Sequence, residues 1–337
     1  MKKPREKLYF SLALLSLLSA LFFLPLAGKI PVSFSQYFNA LRAWVLSKPD
    51  PSGILDILIE IRFPRVVASI LAGMALAAAG TAYQAIFCNP MVSPDLLGAS
   101  AGAAFGAALA IVMSLSITGL QLMSFLFGLL AVALAYFIAS RADRGQKTAL
   151  ILILSGMVVS SIANAAMSLI KYTADTNTQL PEITFWLMGN IAPVNKSDIG
   201  FMLPPVLLGI IVVFLFRWQI NVMSFGEEEA ATLGVNTKLV RILVISAATL
   251  MTSATVSVCG QIGWLGLIVP HLSRMLVGAD IRKTLPMSLL LGGTFLALTD
   301  TFSRTVPEAE IPIGILTAFA GAPFFIFLLL KGKKGWN

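Results

Sequence analysis

The sequence predicts an all-α, polytopic membrane helix bundle of about ten transmembrane helices, organised as a single domain over residues 1–337. Three observations carry this. Hydrophobic residues make up 57% of the chain and charged residues only 12%, against about 25% charged in soluble domains. Mean hydropathy is +0.87. The apolar residues also come in runs of about 20, the length that crosses a bilayer as a helix. Such runs fill the chain and leave no room for an extramembrane catalytic domain of ordinary size. The net charge of +8 does not mark a nucleic-acid binder, because the basic residues are scattered between apolar runs and never form a stripe with aromatics. Cys88 and Cys259 lie far apart, each in or beside an apolar run, and read as two buried thiols rather than a disulfide.

The runs fall at about 9–27, 63–86, 93–113, 117–140, 148–170, 199–218, 237–259, 265–278, 284–302 and 311–331. The first follows Lys2, Lys3, Arg5 and Lys7 as a signal peptide would. Leu24-Pro25-Leu26-Ala27-Gly28 is a poor small-residue cleavage site, so a retained first span is expected. Phe34, Phe38, Leu41 and Val45 recur at helical spacing beside Trp44, which suggests an amphipathic helix lying at the interface. The segment 182–189 reads the same way. Gly98, Gly102 and Gly106 repeat every fourth residue and let helix backbones approach closely. The run at 265–278 is too short to span untilted.

Lys and Arg near span ends mark the cytoplasmic side. With the N-terminus inside, that side collects most of them, including Arg141, Arg144, Lys147, Arg217, Lys238, Arg241, Arg282, Lys283 and Lys331, and both termini are cytoplasmic. Ion-coupled carriers commonly keep ionisable groups in the membrane core. Here the main candidates are Asp300 and His271. Asp300 lies four residues before Arg304, the spacing of a structural helical ion pair. His271 follows Pro270 and reads as hydrogen-bonding a broken helix rather than holding a metal, which needs several ligands. No GxxxxGK[ST] phosphate loop occurs, so energy comes from another subunit or from a gradient.

Two connections carry more information. In Tyr83-Gln84-Ala85-Ile86-Phe87-Cys88-Asn89-Pro90-Met91-Val92-Ser93-Pro94-Asp95, two prolines and polar residues stop one helix and start the next. In Phe225-Gly226-Glu227-Glu228-Glu229-Ala230-Ala231-Thr232-Leu233-Gly234-Val235, three acids suit the positive end of a helix dipole and Gly234 suits its stop. The second is either a solvated helix or a docking helix for a cytoplasmic motor.

These segments resemble the FecCD/BtuC family, the permeases of type II ABC importers. The resemblance rests on Arg62-Phe63-Pro64-Arg65, Ala72-Gly73, Gly80, Gln84, Asn89-Pro90, Pro94-Asp95-Leu96-Leu97-Gly98, Phe185-Trp186-Leu187-Met188-Gly189 and the acidic run. It continues through Gly263-Trp264-Leu265-Gly266-Leu267-Ile268-Val269-Pro270-His271, Arg274, Leu285-Pro286, Asp300, Arg304, Glu310-Ile311-Pro312-Ile313-Gly314 and Gly321-Ala322-Pro323-Phe324. In order and spacing it covers the chain from about residue 60 to its end.

The resemblance implies a BtuC-like permease in a bacterial inner membrane, paired with a second copy of itself. Two ATP-binding cassette ATPases beneath it would bind the ATP and Mg, and a periplasmic or lipid-anchored binding protein would sit above; the chain itself holds no cofactor. It implies ATPase coupling through residues 225–236, with Glu227, Glu228, Glu229, Ala230, Leu233 and Gly234 at the contact. Arg62, Arg65 and Arg304 would dock the binding protein, the alternative being pairing within the chain to Glu60 or Glu310. A cytoplasmic gate is implied at Asn89 and Met91 and at Lys147, Thr148 and Ala149. Cys88 stands where the family usually has arginine, and Met91-Val92 where Leu-Ala is common. The implied cargo is a ferric siderophore, haem, cobalamin or an oxyanion such as molybdate or tungstate. A gradient-driven secondary transporter or channel is the alternative.

Overall fold

The computed structural model describes residues 3–47, 50, 52–142, 148–306 and 309–331, and no strand occurs among them. Helix α1 (Lys3–Phe23) and the amphipathic α2 (Phe34–Val45) precede α3 (Phe63–Ile86). A one-turn helix (Ile54–Asp56) and a wide π-type turn (Ile57–Arg62) extend α3 at its start. A 3-10 turn (Pro94–Leu97) leads to α4 (Ala99–Val112), α5 (Ile117–Ala142), α6 (Thr148–Thr173), the short α7 (Gln179–Leu187) and α8 (Lys196–Leu215). Two short helices, α9 (Arg217–Met223) and α10 (Glu227–Thr232), are followed by α11 (Thr237–Cys259), α12 (Leu265–Val277), α13 (Ile281–Thr305) and α14 (Ile313–Lys331).

Each apolar run of the sequence holds one of these helices. Seven are long and apolar enough to cross a membrane, while α4, α12 and the apolar stretch Ile313–Phe327 of α14 are shorter. The run at 93–113 yields only the short α4 because Pro94 opens a 3-10 turn and Gly98, at φ +91°, breaks the chain before the helix starts. Both expected surface helices, α2 and α7, are present. Side chains fix the helix starts: Ser33 and Gln36 form a reciprocal capping box on α2, and Asn236 accepts from the Leu239 amide on α11. Asp280 caps α13 at the Arg282 amide, and the hydrogen bond from the Arg282 side chain holds its carboxyl below the usual carboxylate range.

Helix α3 is the axis of the bundle. It is buried along nearly all of its length, and half of its buried residues are alanine or glycine. In lipid the tails are as apolar as leucine, so helices associate by close contact rather than by escape from water. Small residues permit that contact. A Cβ on Gly73 would fall on the carbonyl of Gly292 in α13, and one on Gly80 on the backbone of Gly266 in α12. Gly102 and Gly106 of α4 meet α5 in the same way at Phe127 and Met123. Most buried hydroxyls, with no water to turn to, bond inside the bundle, Ser124 and Ser253 being exceptions. Thr81 donates to Ser288, which donates to Ser273, while Thr249, Thr252 and Thr255 each bond the carbonyl four residues back. The leucine-rich faces of α1, α5, α6 and α8 point outward, as lipid-facing surfaces do.

Candidate functional site

Interrupted helices converge on one cavity. Helix α11 stops at Gly260 (φ +67°), and the chain turns again at Trp264, a non-glycine residue at φ +68°, before α12 begins. Helix α7 ends beside this break: the Asn190 amide donates to the Cys259 carbonyl at 2.8 Å. The first amides of α14 donate to α7's end, Ile313 to Gly189 and Gly314 to Met188, both at 3.0 Å. Non-helical backbone at membrane depth is tolerated where its polar groups are paired and it lines a cavity. The cavity holds about 890 Å³ and is lined by Asp95, Ser160, Asn164, Met188, Gln261 and Trp264 among others, with α14 supplying Gly314, Ala318 and Phe319. Its wall is mainly apolar with a few convergent polar groups, the usual make-up of a small-molecule site. Asp95 accepts from Ser100 Oγ, and no ionisable residue other than Asp95 lines the cavity among the described residues.

The three expected docking arginines sit together at the opposite end of the bundle from α10, each bonded within the chain. Arg62, Arg65 and Arg304 are only 4%, 6% and 5% exposed. Arg62 leaves the π-type turn and donates to the carbonyls of Pro25 (3.0 Å), Leu26 (2.9 Å) and Ile30. Arg65 Nε donates to both Asp300 oxygens at 2.9 and 3.1 Å, and its Nη1 reaches Glu310 at 3.0 Å. Arg304 donates to Leu24 at 3.0 Å and approaches Asp300 at 3.7 Å, the expected i,i+4 pair. Their guanidinium groups are used inside the chain to clasp α3, α13 and the turn after α1. The physical reason is solvation: with so little water available, each arginine must be satisfied by protein acceptors. Glu60, the other partner anticipated, pairs instead with Lys196 at the surface.

At the α10 end the acids are turned outward but are not equivalent. Glu227, with 42% of its side chain exposed, pairs with buried Arg241 on α11. Glu229 folds back over Gly226, the residue before α10. Glu228 makes no ion pair or hydrogen bond among the described residues. Ala230 is fully buried against the bundle, whereas Phe225 and Leu233 are exposed. Gly234, at φ +78°, terminates the turn.

Among the expected gate residues, Asn89 and Met91 share one exposed turn in which the Met91 amide donates to Asn89 Oδ1 at 2.9 Å. Ala149 is half-buried at the start of α6, which begins at Thr148; Lys147 lies outside the described residues. No hydrogen bond among the described residues joins Asn89 or Met91 to Ala149. Cys88 is exposed rather than buried. Its thiol donates to the Met223 carbonyl at 3.2 Å, and burial of its inner side, with Glu227 nearby, raises its pKa. Sequence reasoning missed Arg241 as the partner of Glu227 and Asp95 as a cavity residue, since neither relation has a helical spacing that could reveal it.

The FecCD transport family matches residues 12–331. The chain is 38% identical over 329 residues to the molybdate import system permease protein MolB of Haemophilus influenzae, covering 98% of this chain and 97% of that protein. It is 35% identical over 342 residues to the hemin transport system permease protein HmuU of Yersinia pestis, with 98% and 97% covered. A solved structure described as an inward-facing conformation of a metal-chelate type ABC transporter superposes with a TM-score of 0.86 at 36% identity, covering 96% of this chain and 99% of that one.

Proposed function

This chain belongs to the FecCD transport family and is a multi-pass permease subunit of an ABC importer rather than an enzyme, and on that premise we propose that it passes a metal chelate or a metal oxyanion into the cytoplasm by ATP-driven alternating access. The cargo classes are those of its relatives: molybdate, haemin, iron chelates and cobalamin. Their permeases are about equally similar to this one, so discrimination rests with the protein that delivers the cargo. The alternative, a gradient-driven carrier, finds no support among the relatives.

The observation that carries the reading is α10, an acid-headed helix with exposed Phe225, Glu228 and Leu233 on a chain without a phosphate loop. We assign it to the cleft of an ATP-binding cassette subunit, one per permease in a two-fold pair. The α10 end and both termini are then cytoplasmic, in an inner membrane, and the basic residues of that side support this orientation. The binding protein, periplasmic or lipid-anchored, docks at the opposite end over the arginine clasp. Because the clasp arginines are buried, docking there uses the exposed Glu60 and Lys196 beside them. The turn at Asn89 and Met91 and the start of α6 at Thr148 and Ala149 form the cytoplasmic closure.

The test is reconstitution of the permease with its ATPase and binding protein in proteoliposomes, followed by uptake of labelled molybdate, haemin and a ferric siderophore. Uptake of one of them that needs both ATP and the binding protein is expected. Uptake driven by an ion gradient without ATP would overturn the reading.

A further inference from the structure

The segment around α10 is tied to the bundle at three points. The Cys88 thiol at the end of α3 donates to the Met223 carbonyl at 3.2 Å. The Ile281 amide at the start of α13 donates to Asn221 Oδ1 at 3.1 Å. The third tie is of a different kind. Glu227 heads α10 and pairs with Arg241, which lies in the second turn of α11 and is only 5% exposed. Arg241 has no other ion-pair partner among the described residues, and neither its Nε nor its Nη2 makes a hydrogen bond there, so the ion pair with Glu227 is its one charge contact. A guanidinium withdrawn from water holds its one counter-charge firmly, because releasing it would leave the charge buried and unpaired. The first two ties are ordinary hydrogen bonds, each a weaker constraint.

What lies at the other end of α11 gives this pair a consequence. Arg241 stands near its start, and 18 residues on, about 27 Å at helical rise, α11 ends at Cys259 and runs directly into Gln261–Trp264, part of the cavity wall. The helix between is buried and closely packed: Gly209 of α8 lies against Ala247 and Met251, and Gly128 of α5 against Ser253. A closely packed interior is poorly compressible and transmits strain.

We propose that the Glu227–Arg241 pair is the tether through which displacement of α10 is passed to α11 and so to the Gln261–Trp264 wall of the cavity. Arg241 is thus a positioning residue. The three acids divide their work: Glu228 faces the ATPase, Glu229 lies over Gly226, and Glu227 reaches Arg241 and transmits. The inference rests on the assignment of α10 as the ATPase contact.

The experiment uses the full permease assembled with its ATPase, with Cys88→Ser, which keeps a donor for Met223, and a reporter Ala318→Cys on the cavity wall. Reporter alkylation by a small maleimide is compared without nucleotide and with ATP–Mg trapped by vanadate, and ATP hydrolysis is measured in parallel. The reference protein should show a nucleotide-dependent change in labelling. In Arg241→Gln, hydrolysis should persist while that change shrinks by at least about fivefold, the lower range of allosteric couplings. Arg241→Lys should keep most of it, and the charge swap Glu227→Arg with Arg241→Glu should restore it. An undiminished labelling change in Arg241→Gln would overturn the tether. So would a swap that fails to restore it, including one that fails to assemble. Glu228→Lys separates the two readings: if that variant still binds and couples to the ATPase, the assignment of α10 fails, whereas failure of the tether alone leaves the Glu228 result unchanged.

Discussion

The two ends of the bundle both carry charge in short connections, but they use it in opposite ways. At the arginine end, Arg62, Arg65 and Arg304 are withdrawn and their donors bond carbonyls and acids of the same chain. At the α10 end, Glu228 faces solvent and Phe225 and Leu233 are exposed beside it. One end is a closed clasp that holds helices together, and the other is an open surface of one acid and two apolar side chains. The difference teaches that in a membrane protein a charge near a span end marks neither a surface nor a site by itself. Its solvation decides which it becomes.

The largest effect expected from this contrast is at Asp300, which is fully buried. Asp300→Asn leaves Arg65 and Arg304 short of their shared counter-charge, and breaking a buried pair in this way costs about 3–5 kcal/mol. Thermal unfolding in detergent should show a large drop, and a variant as stable as the parent would show that the clasp does not hold the fold. Next is Gly73→Val, whose side chain would strike the Gly292 carbonyl. Overpacking of this kind costs about 1–3 kcal/mol and should lower the same midpoint.

Glu228→Lys reverses the comparison. Uptake should fall about tenfold or more, in line with the several kcal/mol that like charges can cost at an interface, while the unfolding midpoint stays within error. A fall in both would mean that Glu228 is structural. A small stability effect is expected at the exposed pair of Glu60 and Lys196, where Lys196→Ala should change stability by less than about 1 kcal/mol. Low ionic strength should make any docking defect at this pair easier to see.

Cys88 offers a pH readout on the open end. Its pKa is raised by burial and by Glu227, and the thiolate is the reactive form. Its alkylation below pH 8 should therefore be slower than that of a free cysteine and should keep rising above pH 9, beyond where free cysteine levels off. Glu227→Gln should speed it, and an unchanged rate in that variant would remove Glu227 from the thiol's surroundings.

Much of the fold was legible in the sequence. The ten apolar runs, the amphipathic helix at Phe34–Val45 and the acidic turn at Glu227–Thr232 are all local patterns, and each lies where its spacing placed it. The i,i+4 pair of Asp300 with Arg304 was legible for the same reason. What escaped was whatever depends on residues distant in sequence. Arg65 finds Asp300 across 235 positions and Arg274 finds Gln84 across 190. Glu227 finds Arg241 across a turn with no fixed periodicity.

By itself the sequence determined the solvent, the number of apolar runs and the family, because hydropathy and motif order are carried along the chain one residue at a time. Only the tertiary structure decided which charges face inward. In a bilayer nearly every helix is apolar on all sides, so hydropathy does not say which face meets protein. The packing of small residues brings distant charges together, and whether water still reaches them determines whether they become a clasp or a contact.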